Sequence, residues 1–215
     1  TLFGTLQYLD DSLLYAKDEN ELLARLDRYF TLLRQHGIKL HPSKMDFYAT
    51  ELTWAGKRIS ADGVKVAPER VAALNGMPEP KTADQLMQFV YGAAWVRGNI
   101  PEFARIAAGC YDTINAALEG QKRRTKRAAS RKKLDELPIW RESGRESYMA
   151  LKRALEKSVE TAYFDPKLEV CVFADASDNF WGLILTQCKA EELQKPIREQ
   201  QHQMLAVASG RFRKA

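Results

Sequence analysis

Eight of the twelve residues from Lys122 to Lys133 are lysine or arginine, so no continuous apolar core can be threaded through this stretch. Burying an unpaired charge is too costly. The run also accounts for the chain's net charge of +5. Residues 1–120 carry 13 basic and 15 acidic groups, residues 121–153 carry 12 and 4, and residues 154–215 carry 8 and 9. Two near-neutral bodies joined by a cationic connector are therefore expected. Apolar residues make up 45% of the chain, enough for real cores. The longest apolar run, Phe89–Val96, is broken by Gly92 and is too short to cross a membrane. No basic leader precedes an apolar segment at the N-terminus, so a secretory signal is not expected. The first residue is Thr1, which hints at a chain that begins mid-protein. Cys110, Cys171 and Cys188 are odd in number and widely spaced, and read as buried free thiols.

Apolar residues flank Asp10-Asp11 on both sides from Leu2 to Tyr15, as in a strand–turn–strand. Asp18 and Glu21 suit a capping box, and Leu22, Leu23, Leu26, Phe30 and Leu33 follow at helical spacing to Gly37. A helix over about 19–36 is predicted. Strands are expected at Met45–Tyr48, Leu52–Ile59 and Val64–Val66, with Ala61-Asp62-Gly63 as a loop. Pro68 opens a helix and Gly76 stops it. Thr82 suits the cap of a further helix through Trp95, and Ala104–Leu118 has helical spacing. A helix at about 143–157 precedes a strand at 168–173, expected to be buried on both faces. Trp181–Gln187 and Met204–Ala208 are its candidate partners.

The chemistry-bearing candidates are acids at turns. Adjacent carboxylates repel, and two at one apolar-flanked turn call for a neutralising cation. Strand neighbours point to opposite faces, so Asp10 and Asp11 can serve one site only where the chain turns. Such a tip suits Mg²⁺, or Mn²⁺, and two such ions can activate a hydroxyl and stabilise a leaving pyrophosphate. A solvated Asp-Asp turn is the alternative. In Phe173-Ala174-Asp175-Ala176-Ser177-Asp178, Asp175 ends a strand and Asp178 suits the capping of the following turn.

Tyr8-Leu9-Asp10-Asp11 resembles the Tyr-x-Asp-Asp box of reverse transcriptases. Segments in the same order then resemble Ty3/gypsy-type retrotransposon reverse transcriptases: Gly37–Lys44, the hairpin Leu52–Ser60 known as the primer grip, Gly63–Val71, and Pro78–Thr82. Phe173–Asp178 is similar to the opening of the RNase H-like domain of those elements, and Gln200–Gly210 to its third strand. The chain departs from the pattern at Gln7, Ala55, Lys57 and Ala174, none of them a metal ligand there.

The resemblance implies an α+β fold: part of a palm and thumb, then an incomplete RNase H-like domain. Its expected divisions are a palm with primer grip over 1–66, a helical thumb and connection over 67–120, a basic linker over 121–137, and the RNase H-like part over 138–215. It implies Asp10, Asp11 and Asp175 as catalytic metal ligands for Mg²⁺ or Mn²⁺. Primer–template and RNA–DNA hybrid are the implied partners, with deoxynucleoside triphosphates in a full-length parent. Trp54, Gly56, Lys57 and Arg58 would touch nucleic acid at the grip, with core the favoured alternative for Trp54. Lys122, Arg123, Arg124, Lys126 and Arg127 would bind phosphates or else sit in a solvated linker. Further acids, one before position 1 and others after position 215, are implied, so this chain alone should be inactive. An intracellular setting, in a cytoplasmic particle or the nucleus, follows from the family. A non-catalytic nucleic-acid-binding remnant is the competing reading.

Overall fold

The structure, a computed structural model, describes residues 4–121 and 125–212. The chain forms two compact units, Thr1–Ala55 and Gly56–Ala215. They divide inside a turn where Ala55 (φ 50°) and Gly56 (φ 76°) both have positive φ.

In the first unit, β1 (Thr5–Tyr8) and β2 (Asp11–Leu14) form an antiparallel hairpin. Helix α1 (Glu19–Gln35) follows. Asp18 caps it by accepting from the Glu21 N–H at 2.9 Å, while the Glu21 carboxylate accepts from Lys17 N–H at 2.8 Å. This is the expected capping box, displaced by one residue at its return bond. At the far end Gly37 has φ 66°, and the Gly37 and Ile38 N–H groups donate to Arg34 O and Leu33 O. These two bonds make a Schellman stop, which needs the left-handed residue that glycine supplies. Arg25 ties α1 to the hairpin, bonding Tyr15 O and lying 5.6 Å from the Tyr15 ring centroid. The strand expected at Met45–Tyr48 does not form. Pro42 starts a short 3₁₀ turn, Met45 N–H closes it on Pro42 O, and Tyr48 takes φ 55°. Strand β3 (Leu52–Trp54) completes the unit.

The second unit opens with β4 (Lys57–Ile59) and β5 (Val64–Val66), paired antiparallel. Helices α2 (Pro68–Asn75), α3 (Ala83–Ala94), α4 (Phe103–Ile106), α5 (Ala108–Ala117), α6 (Lys126–Ser130) and α7 (Arg145–Glu156) follow. The helix expected over Ala104–Leu118 is split at Ala107. Leu86, Phe89, Val90, Ile114, Leu151 and Leu155 are at most 2% exposed and anchor one core. Phe89 meets Tyr148 edge-on at 4.6 Å. Cys110 lies in this core, where burial raises its thiol pKa to about 11 and so keeps it protonated.

The basic stretch is not a bare connector. Thr125 caps α6, Ala129 and Leu134 enter the core, and Lys132 O accepts from the Ala83 N–H at 3.0 Å. Small residues at 128–130 let one side of a cationic segment be buried while its charges stay in water. Lys122, Arg123 and Arg124 lie outside the described residues.

Helix α7 is entered through a π-helical turn, Trp140–Gly144, in which the Arg145 N–H reaches Trp140 O. Here α5 and the turn approach closely. A Cβ on Gly144 would lie 2.3 Å from Thr113 Oγ1 and 2.8 Å from Trp140 Cε3. Gly144→Ala is therefore expected to destabilise the chain by about 1–3 kcal/mol, an overpacking cost. Thermal unfolding checks it: an unchanged melting temperature would mean the turn relaxes freely.

The last sheet has the order β6 (Glu169–Ala176), β7 (Phe180–Cys188), β8 (Gln203–Arg211), all antiparallel. A bulge between Leu185 and Thr186 of β7 leaves Leu205 of β8 without a partner in the ladder. Ser209 Oγ accepts from the Ala104 N–H at 2.9 Å and Arg211 pairs with Asp112 at 2.6 Å, seating β8 on α4 and α5. The expectation that β6 is buried on both faces fails: Val170 is 47% and Val172 60% exposed. β6 is an edge strand among the described residues, pairing only with β7. No described helix is long and apolar enough to cross a membrane.

Candidate functional site

The strongest sequence candidate lies on a β-hairpin. Tyr8 pairs with Asp11, so Leu9 and Asp10 form a two-residue hairpin turn, with Leu9 at φ 52°. Asp10 is at the apex and Asp11 begins β2, both exposed. The turn removes the strand alternation that would send neighbouring side chains to opposite faces. Among the described residues, no third carboxylate, thiol or imidazole joins these two at ligand spacing.

Gln7 braces the turn. Its Nε2 donates to Leu9 O at 2.8 Å, and its Oε1 accepts from Ser12 Oγ, the residue opposite. Tyr29 of α1 then donates to Ser12 Oγ at 2.8 Å. A chain of bonds thus runs from helix to turn. Trp54 meets Tyr8 edge-on at 6.2 Å, and its indole nitrogen is buried with no hydrogen-bond partner among the described residues.

In the second unit, Gly56 O accepts from the Ala67 N–H at 3.1 Å, and a Cβ on Gly56 would only touch Arg70 and Trp95 at 3.7–3.8 Å. The left-handed φ, rather than crowding, is what selects glycine there. Lys57 and Arg58 are half-buried neighbours on β4 and face opposite sides. Arg58 lies opposite Lys65, which pairs with Glu160 at 3.8 Å. Lys126 and Arg127 are exposed on α6, with Arg131 and Lys132 just beyond.

Asp175 is next to last in β6 and pairs with Gly182 of β7. Nothing would touch a Cβ on Gly182 within 4 Å, so the sheet is open beside the carboxylate. Asp175 Oδ1 accepts from the Ala176 N–H at 2.9 Å. The turn that follows is held by Ser177: its N–H donates to Phe180 O at 2.8 Å and its Oγ accepts from Phe180 N–H at 3.3 Å. Asp178 was the residue expected to cap that turn; the shorter hydroxyl of Ser177 does so. A shallow hollow beside Asp175 is also lined by Phe173 and by Glu102, whose carboxylate is held by Arg105. Glu102 carries no local sequence signal, because a contact across about 70 residues brings it there.

Cys171, Cys188 and His202 are far apart along the chain, so no local spacing marks them as a group. The sheet register gathers Cys171, Cys188 and His202 into one cluster, all ligand atoms within 4.8 Å.

The architecture is a mixed helix-and-sheet one with the reverse-transcriptase fold. It matches the foamy viral protease–reverse transcriptase solved with double-stranded DNA at a TM-score of 0.71 and 19% identity, covering 99% of this chain and 33% of that one. The same viral protein solved with RNA/DNA hybrid matches at 0.68 and 20%, covering 99% and 25%. In sequence, the chain's homologues are Gypsy/Ty3-type retrotransposon Pol polyproteins. It is 26% identical over 181 residues to the retrovirus-related Pol polyprotein from transposon 412 of Drosophila melanogaster, covering 84% of this chain and 13% of that one. The polyprotein from transposon gypsy of the same fly matches at 26% over 182 residues, or 84% and 17%. The transposon Tf2-3 polyprotein of Schizosaccharomyces pombe matches at 21% over 190 residues, or 88% and 13%. No protein-family model matches the chain. The chain thus spans 13–17% of the length of these relatives.

Proposed function

We propose that this chain is a segment of a retroelement polyprotein that polymerises DNA on an RNA or DNA template and cleaves the RNA of hybrids. The observation that carries this reading is the position of Asp10 at a hairpin apex with Asp11 beside it at the start of β2. In the parent these two acids, with a third from outside this chain, hold divalent ions for phosphoryl transfer. Asp175 supplies one ligand of a separate nuclease site, on a strand end with open space beside it. The fit to acids alone favours Mg²⁺ or Mn²⁺, hard ions that prefer oxygen ligands. Gly56, Lys57 and Arg58 guide the primer strand, Trp54 packs behind the turn, and the run Lys122, Arg123, Arg124, Lys126 and Arg127 tracks phosphates. The viral neighbours were solved with double-stranded DNA and with RNA/DNA hybrid, which supports nucleic acid as partner. Deoxynucleoside triphosphates, the domain divisions at 66, 120 and 137, and an intracellular site belong to the same proposal.

With two polymerase acids and one nuclease acid, the isolated chain turns over neither substrate. Mn²⁺ titrated into isotope-labelled chain is expected to broaden the amide resonances around Leu9–Asp11 and Asp175–Ala176. Asp10→Asn with Asp11→Asn should abolish the first set alone. Primer extension and hybrid cleavage by the same chain should be absent. Broadening that ignores these substitutions, or robust turnover, would refute the assignment. The folded cationic helix α6 favours one second reading, a non-catalytic binder: hybrid binding with no Mn²⁺ response at either position would select it.

A further inference from the structure

We propose that Cys171, Cys188 and His202 form a binding site for a soft divalent ion of the zinc type, distinct from the carboxylate sites. Register alone assembles it. Cys171 of β6 pairs with Thr186 of β7, and Cys188 lies two residues further along β7, so both thiols share a face. The bulge at Leu205 sets Gln203 opposite Gln187, which puts the next pair outward, Cys188 and His202, side by side.

The spacing favours an ion over a disulfide. The two Sγ atoms are 3.9 Å apart. Two thiolates about 2.3 Å from one tetrahedral ion would be separated by roughly 3.8 Å. A disulfide needs about 2.05 Å, and diagonal strand neighbours, about 7–8 Å apart at Cα, exceed its usual range. Two sulfurs and an imidazole are also the soft donor set that selects zinc over magnesium.

The surroundings fit a ligand cluster. His202 is held at both ring nitrogens, Nδ1 by Thr186 Oγ1 at 2.9 Å and Nε2 by Gln200 Oε1 at 2.8 Å, and Phe173 meets its ring edge-on at 5.5 Å. On binding, one nitrogen exchanges its partner for the ion while the other stays held, which fixes the ring. Gln187, behind the site, accepts from Asp165 N–H and donates to Tyr163 O and Gln203 Oε1, bonds of 2.8–2.9 Å that hold the strand ends together. Cys188 is buried, whereas Cys171 and His202 are half-exposed, so an ion can enter from solvent. Binding forms two S–metal bonds and releases two thiol protons to water. The fourth position is left for water. The ion would pin β6, β7 and the start of β8 at the end of the sheet away from Asp175, four residues along β6 from Cys171, or roughly 13 Å.

The test is a titration of the reduced, metal-free 215-residue chain with Co²⁺. One equivalent is expected to develop a thiolate-to-cobalt charge-transfer band that Zn²⁺ displaces, and Zn²⁺ should raise the melting temperature. Cys171→Ser and Cys188→Ser should each lose both effects with an unchanged far-ultraviolet circular dichroism spectrum. His202→Gln should weaken binding at least about 10-fold, and Cys110→Ala should retain it. If serine variants unfold, cobalt absorption by the wild-type chain after alkylation of its exposed thiol replaces them, and must be absent. No band at excess Co²⁺, a band that survives loss of both thiols, or a metal-free chain two hydrogens lighter, and so disulfide-bonded, would overturn the site.

Discussion

Phe89→Ala is expected to lower the stability of the Gly56–Ala215 unit by about 3–5 kcal/mol, the usual range for emptying a buried aromatic site. Phe89 is 1% exposed, lies on α3, and meets Tyr148 of α7 edge-on. Its removal opens a void where α3 and α7 meet, a site too closely packed to collapse. The collapse is resisted because Tyr148 is also fixed at its hydroxyl, which donates to Met77 O and Pro78 O at 3.4 Å. A typical domain is stable by only about 5–15 kcal/mol, so the variant should be marginal. Urea unfolding followed by circular dichroism reads the loss. Phe89→Leu should lose much less, and a loss under about 1 kcal/mol for the alanine variant would contradict the packing described.

The second large effect concerns nucleic acid. Changing Lys126, Arg127, Arg131 and Lys132 together to Gln is expected to flatten the salt dependence of RNA–DNA hybrid binding. Each phosphate contact contributes roughly 0.9 to the slope of log affinity against log salt, so four contribute about 3–4. Between about 50 and 200 mM salt, the wild-type chain should lose on the order of 100-fold more affinity than the variant. Lys133 is left in place because it pairs with Glu136 at 3.8 Å. Ala129 and Leu134 anchor this segment in the core, so the glutamines should not unfold it. Equal slopes for the two proteins would show that the cationic face is only a solubilising surface.

Local patterns were legible where the deciding physics is local. The cap at Asp18, the stop at Gly37, proline at the start of α2 and the acidic hairpin turn were all readable, because neighbours along the chain set them. Met45–Tyr48 misled because β-favouring residues followed a proline that started a 3₁₀ turn instead. The basic run misled because eight charges mask the two apolar anchors of the segment, Ala129 and Leu134. β6 read as doubly buried from its apolar alternation, but burial depends on what covers a strand, and its sequence does not carry that. The candidate acids were found, yet Glu102 and the thiol–imidazole cluster were not, because each depends on contacts between distant segments.

The unpaired Leu205 makes one residue act as a phase-shifter for a whole edge of the sheet. Drawing it into the ladder opposite Thr186 would slide the outer pairs by one position, so that Met204 would face Gln187 and Gln203 would face Cys188. The imidazole would then move a step past the sulfurs, and the amide network would lose its acceptor, while the Asp175 end, inside the bulge, would keep its pairing. The bulge thus sets the phase of the thiol–imidazole end independently of the Asp175 end, and deleting Leu205 would smooth the strand while leaving Met204 opposite Thr186 and Gln203 opposite Gln187.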